Sequence, residues 1–383
     1  MKKIIILIIA IFTISISNAQ WQQTSLSTAH QIEALGVSGN NIFAGTYGGG
    51  VYLSTNNGNT WTQVNNGLDT NVTSLTITDN NIFAVTLSGV YLSTNNGNSW
   101  TAVNTGLIGI SVKQLVISGS YIFAGTDHGV FLSTNNGSSW TSSSTGLPTG
   151  FIISSLVISG NKIFVSVYGN GVYLSTNNGA SWSAVNSGIS SEYVRSIAIY
   201  GNNIYAGAYG MFLSTNDGNS WSTVNNGLAD LNINTVVANG NTVFTGTLLG
   251  LFWTTNNGIS WTSMNTGLID KYISSITFNN SYIFVGTQVG GVFKLPLSQL
   301  GIEKNTLTNN FSVYPNPAKG ILNIETNSNT KQSLEITNLL GQTLYTSFIY
   351  NKTTINVSAF AKGVYIIKLN TDKGTAVKKF VKE

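Results

Sequence analysis

Cysteine is absent from the 383 residues, so no disulfide framework, thiolate zinc site or thiol nucleophile can be built, and a lipid-anchored lipoprotein start is excluded. Arginine occurs once, as Arg195, and histidine twice, as His30 and His128. Charged side chains make up only 8% of the chain. Asn, Ser, Thr and Gly take their place, a composition suited to many short strands joined by tight turns. Beyond the amino terminus no run of eighteen apolar residues occurs, which leaves no candidate transmembrane helix. A basic surface for nucleic acid is missing too. The net charge of +4 divides into +2 in the leader, −3 over residues 20 to 300 and +5 over residues 301 to 383, so the longest segment is slightly acidic.

What the chain does contain is repetition. Ser54-Thr55-Asn56-Asn57-Gly58-Asn59-Thr60-Trp61 returns five more times, ending at Trp100, Trp140, Trp182, Trp221 and Trp261, at spacings of 39, 40, 42, 39 and 40 residues. That period is the length of one four-stranded propeller blade. Each copy follows an alternating apolar strand such as Val51-Tyr52-Leu53, and its Asn-Asn-Gly core supplies residues that tolerate positive φ. Asn at the third position can accept turn amides, and the closing Trp opens the next strand with the largest apolar surface of the unit. The structural set is therefore Asn56, Gly58 and Trp61, with Asn95, Gly97, Trp100, Asn135, Gly137, Trp140, Asn177, Gly179, Trp182, Asn216, Gly218, Trp221, Asn256, Gly258 and Trp261.

A second marker sets the number of units. Segments of the form Ile-Phe-Ala-Gly-Thr start at Ile42, Ile82, Ile122, Ile163, Ile204, Val243 and Ile283, seven against six turn motifs. The seventh unit stops near Val292-Phe293-Lys294 and lacks its last strand. An orphan strand around Trp21 can complete it and leave no open edge. Within a unit the order is an inner strand such as Ser74 to Thr78, a turn at Asp79-Asn80-Asn81, a second strand Ile82 to Thr86, a third strand, and the hairpin into the Trp strand. No helix is indicated. The expectation is an all-β chain, a seven-bladed β-propeller over residues 20–295, closed by its amino-terminal strand.

Residues 1–19 read as a signal peptide: Lys2-Lys3, the apolar run Ile4 to Ile16, and Ser17-Asn18-Ala19 before Gln20. Residues 296–310 read as a linker. Residues 311–383 carry six or seven short alternating strands, expected to form a small immunoglobulin-like β-sandwich.

The turn motif resembles the Asp-box, or bacterial neuraminidase repeat, of pattern Ser-x-Asp-x-Gly-x-x-Trp, with Asn in place of Asp in all six copies. The resemblance implies a folding element remote from any active site. It also suggests a sialidase first, but sialidases hold the substrate carboxylate with three arginines, and Arg195 stands alone. The carboxyl-terminal segment closely resembles the type A sorting domain of the type IX secretion system, through Tyr314-Pro315-Asn316-Pro317, Leu340-Gly341-Gln342, Gly363-Val364-Tyr365 and the basic tail. That resemblance implies two partners, an outer-membrane translocon and a sortase-like peptidase that removes the domain. The mature product would then be secreted or attached to the outer-membrane surface.

Strand order places the second-to-third-strand turns and the unit-to-unit crossovers on one face, where related propellers hold ligands. Here the repeats differ from one another. Candidate ligand-binding residues are Tyr47, Asp127, His128, Tyr168, Glu192, Tyr193, Arg195, Tyr209, Lys271 and Tyr272, with Phe151 and Asp270 beside them. Exposed tyrosines suit sugars or a protein partner. The leading expectation is a non-catalytic binding or adhesion module for a surface carbohydrate or protein, with no cofactor and no metal. The rival is a glycoside hydrolase or polysaccharide lyase using a carboxylate pair drawn from Asp69, Asp127, Glu192, Asp230 and Asp270. Asp127 and His128, as neighbours in a tight turn, are expected to point apart, and no third ligand clusters with the histidines.

Overall fold

The computed structural model describes residues 20–26, 30–78, 81–300, 311–326, 331–338, 342–371 and 374–383. The leader and most of the linker lie outside these residues, as do Asp79, Asn80 and Gly341. The chain divides into two compact units, the first ending at Pro296 and the second beginning at Leu297.

The first unit is a series of seven four-stranded antiparallel sheets. The first sheet runs Ile32–Ser38, Asn41–Thr46, Gly50–Ser54 and Thr62–Gln63, and the next five repeat that order. The seventh takes Ile273–Phe278, Tyr282–Thr287 and Val292–Pro296 from its own stretch of chain. Its fourth strand is Gln22–Gln23, paired with Lys294 and Phe293. The inner strands neighbour one another in chain order, and the seventh returns to the first.

Apolar side chains fill the spaces between sheets. In the Ile-Phe-Ala-Gly-Thr strand successive side chains point to opposite faces. Ile42 packs with Ile32, Phe284 and Val292 toward the seventh sheet, whereas Phe43 packs with Val72, Ile82 and Trp100 of the second. Gly45 sits at a close approach of the first and second sheets, since a Cβ there would lie 2.6 Å from Val72 Cγ1.

The hairpins form as their chemistry requires. Asn57 and Gly58 adopt φ of 57° and 78°. Asn56 Oδ1 accepts the Thr60 amide at 2.9 Å, its Nδ2 donates to Thr60 Oγ1 at 2.8 Å, and Ser54 Oγ accepts the Gly58 amide at 2.8 Å. The asparagine therefore fills the acceptor role of a carboxylate and adds a donor that a carboxylate lacks. The Trp itself precedes the strand, because only two residues after it pair. Likewise the second inner strand spans Val72–Ile77, beginning before Ser74.

The indoles tie each sheet to the one before it. Trp100, Trp140, Trp182, Trp221 and Trp261 donate Nε1–H to Val64, Val103, Ser143, Val185 and Val224 carbonyls at 2.7–2.9 Å. Trp21 does the same to Met264 at 2.8 Å. Trp61 is the exception, half-buried with no partner for its enclosed Nε1. At this same seam, between the seventh and first sheets, Lys294 stands in a third-strand position held by Leu53 in the first sheet. Its ammonium donates to Asn57 O at 2.9 Å and Asn59 Oδ1 at 2.8 Å. Burial holds its pKa below the ordinary lysine range.

The second unit opens with a short 3-10 turn, Leu297–Leu300, in a stretch expected to be linker. No α-helix occurs among the described residues. Seven strands follow in two sheets, one of three and one of four strands. Phe311, Leu322, Ile324, Leu334, Ile336, Ile367 and Phe380 form their core.

Candidate functional site

Six of the seven inner strands of the first unit begin with a break in the ladder. The register skips one residue between Ile32 and Ala34, Val72 and Ser74, Val112 and Gln114, Ile153 and Ser155, Ile233 and Thr235, and Ile273 and Ser275. The skipped residues are Glu33, Thr73, Lys113, Ser154, Asn234 and Ser274. A bulge frees its extra residue from the ladder and re-aims it. In the fifth sheet Arg195 takes the same place, just ahead of the paired strand Ser196–Tyr200. All seven line one central cavity of about 510 Å³. Because each inner strand follows a crossover, this ring lies at the end of the channel that carries the variable loops.

A second layer fixes the ring. Ser275 Oγ accepts the Leu35 amide at 2.9 Å, Gln114 Oε1 the Leu156 amide at 2.8 Å, Ser155 Oγ the Ile197 amide at 3.2 Å and Ser196 Oγ the Val236 amide at 3.0 Å. Each bond joins neighbouring inner strands, so the channel wall is held by its own polar residues. Within the ring Lys113 donates to Ser111 Oγ at 2.9 Å and Arg195 to Asn234 Oδ1 at 3.3 Å. Glu33 carries the ring's only carboxyl, and burial raises its pKa above the ordinary range.

Around the mouth, the loops expose apolar side chains. Tyr47, Leu87, Ile108, Phe151, Tyr168, Tyr193, Tyr209, Leu249, Ile269 and Val289 are all exposed, Tyr209 to 66%. Among the described residues of this unit, only Tyr121, Tyr200 and Ile259 expose a large apolar side chain at the hairpin end. Tyr168 and Tyr193 meet edge to face with ring centroids 5.0 Å apart. Lys271 and Glu192 are exposed, and Tyr272 is half-buried.

Four of the five acidic candidates have structural duties, and the fifth, Glu192, is exposed. Asp230 accepts the Asn232 amide at 3.0 Å and the Leu248 and Leu249 amides at 3.0 and 3.2 Å. Asp270 does the same for Tyr272, Val289 and Gly290, and Asp69 accepts from the Asn71 amide and the Ser88 hydroxyl. All three stand thirteen residues before an Ile-Phe marker and pin a crossover to the turn of its own sheet. For Asp69 and Asp230 burial disfavours ionisation, yet the accepted hydrogen bonds outweigh it and hold the carboxyls below the ordinary range. Asp127 makes the converse link from turn to crossover, accepting the Ser111 amide at 3.0 Å. The expectation that Asp127 and His128 point apart is overturned: His128 Nδ1 lies 2.7 Å from Asp127 Oδ1. The turn is short enough to fold the ring back on its neighbour. No group of three metal-ligating side chains occurs among the described residues.

Sequence reasoning found Arg195 but missed its ring partners Glu33, Lys113 and Asn234. The available signal was register, since all seven ring residues lie nine positions before an Ile-Phe marker.

In the second unit Asn316 holds the Tyr-Pro-Asn-Pro loop to the last strand, accepting the Val381 amide at 2.8 Å and donating to Lys379 O at 3.3 Å. Tyr314 donates to Glu325 Oε2 at 2.7 Å. Tyr365, close after Gly363, is buried against Phe360 and Phe380 with its hydroxyl on Ala361 O at 2.7 Å.

Comparison with known proteins bears on both units. Residues 312–383 match the family described as "Secretion system C-terminal sorting domain". No curated protein matches the chain. Among solved structures, PorZ of Porphyromonas gingivalis, described as an essential bacterial surface component of the type-IX secretion system, is similar at 16% identity and TM-score 0.55. The match covers 92% of this chain and 59% of that one. YCF48 bound to a D1 peptide is similar at 14% identity and TM-score 0.59, covering 73% of this chain and 97% of that one. The GH74 xyloglucanase of Xanthomonas campestris is similar at 13% identity and TM-score 0.57, covering 72% and 53%. At these identities the likeness is one of fold, a β-propeller. The chain therefore joins a propeller to a type IX sorting tail, which directs it to the cell surface or beyond.

Proposed function

We propose that this is a seven-bladed propeller closed by its amino-terminal strand, followed by an immunoglobulin-like sorting domain. It acts outside the cell as a non-catalytic binding or adhesion module for carbohydrate or protein. On this reading residues 1–19 are removed at export, and a translocon and a sortase-like peptidase act on residues 311–383. The observation that carries it is the crowding of exposed apolar side chains, Tyr168 and Tyr193 foremost, onto the loop end of the first unit. Contiguous exposed apolar surface marks binding sites on soluble proteins.

The rival, a glycoside hydrolase or lyase, needs two carboxyls free to meet a substrate. Asp69, Asp230 and Asp270 are engaged by backbone amides in three different sheets. Among the described carboxyls Glu33 alone has the raised pKa expected of a general acid. A glycan and protein array probed with the purified mature chain, run beside a reducing-end release assay on the bound glycans, tests the choice. Binding without product supports the module, and release of reducing ends would overturn it.

A further inference from the structure

The ring at the channel mouth has a charge pattern that the rest of the unit does not share. Residues 20 to 300 sum to −3, yet the lining of this cavity carries Lys113 and Arg195 against Glu33 alone, a formal +1. Among the described residues neither cation is in an ion pair; each donates to a neutral oxygen, on Ser111 and Asn234. The remaining ring positions are Thr73, Ser154, Asn234 and Ser274, neutral groups that donate and accept. A concave site with uncompensated cations and low-dielectric walls concentrates anions. Its charge matches a monoanion better than a doubly charged phosphate. Beside it, fully buried Val194 separates exposed Tyr193 from Arg195, and Tyr193 forms the edge-to-face pair with Tyr168. Such rings offer an apolar face with a hydroxyl handle, which suits a sugar face.

We propose that the channel mouth binds a carboxylate-bearing saccharide of the uronic acid class. Lys113 and Arg195 neutralise its carboxylate, the hydroxyl and amide ring residues take its hydroxyls, and Tyr168 with Tyr193 receives a ring face. This deepens the binding-module reading and rests on it. Lys113 lies outside its strand ladder, Arg195 lies just ahead of its paired strand, and both side chains are exposed, so their substitution is expected to leave folding intact.

The test is calorimetric titration of the mature chain with trigalacturonic acid, its neutral methyl ester, and a free-acid tetra-alanine peptide. The acid should bind and the ester should bind at least about tenfold more weakly. K113A and R195A should each weaken the acid roughly tenfold or more without moving the melting temperature. E33Q should tighten it by on the order of threefold, having removed a repulsion. That opposite sign is not expected of a general structural disturbance. Y168A should weaken acid and ester alike. Equal binding of acid and ester would overturn the acidic-sugar inference while sparing the module. Binding of the peptide alone would overturn it in favour of a protein terminus. No binding of any of the three would overturn it, and failure on the wider glycan and protein array as well would take the module reading down with it.

Discussion

Seven tryptophans occupy one repeat position, and six of them donate an indole hydrogen bond that the seventh, Trp61, does not. Replacing Trp by Phe therefore separates the hydrogen bond from the packing. At Trp100 the change removes a bond of about 0.5–1.5 kcal/mol and leaves the Val64 carbonyl without its donor. It also leaves a void of roughly 40 Å³, worth about 1 kcal/mol more. W100F should cost about 1.5–2.5 kcal/mol in all. At Trp61 the void forms in a half-buried site, and removal of an enclosed, unbonded N–H returns about 1–3 kcal/mol of desolvation penalty. W61F should be near neutral or mildly stabilising. At about 2–4 °C per kcal/mol for a domain of this size, the two variants should melt roughly 5–10 °C apart. All eight tryptophans lie in the first unit, so their fluorescence follows its unfolding without interference from the second. A loss at W61F equal to that at W100F would refute the account of the seam.

Four further outcomes are expected. Deleting Gln20–Leu26 removes the Trp21 anchor and opens the edge of Val292–Pro296, so the truncated chain should melt well below the intact one and associate through that edge, measured by fluorescence and light scattering. Asp69 and Asp230 have depressed folded pKa values, so their contribution is present above the unfolded pKa of about 4 and lost as pH falls through the lower folded value. D230N should destabilise by about 1–3 kcal/mol at pH 7, with the gap to wild type closing in acid. Removing residues 311–383 should leave a folded first unit retained inside the cell envelope. N316A, which frees the Tyr-Pro-Asn-Pro loop from the last strand, should reduce export while leaving tryptophan-reported melting unchanged, followed by fractionation and blotting.

Much of the propeller was legible because its signals are local. The Ile-Phe marker places the second strands, Asn-Gly chemistry places the hairpins, and the count of seven against six shows that a strand must come from elsewhere. The site was less legible because its determinants are not local. Glu33 and Lys113 look like ordinary strand residues until the register shift that follows the crossover is known. Asp69, Asp230 and Asp270 looked free for chemistry because their partners lie 18 to 20 residues further along the chain. The pairing of Asp127 with His128 depends on turn geometry that residue type does not specify. In the second unit, the contact of Asn316 with the terminal strand spans 65 residues and leaves no trace in periodicity.

The ladder skips in the inner strands also separate two demands that most binding sites must meet with the same residues. A residue excused from strand pairing is not needed to continue the ladder. On the binding reading proposed above, selectivity of the mouth is written in a short alphabet, one letter per sheet with Arg195 standing in for the fifth, and can be respelled by point changes. An engineer seeking a new target would vary those letters together and leave the surrounding text alone.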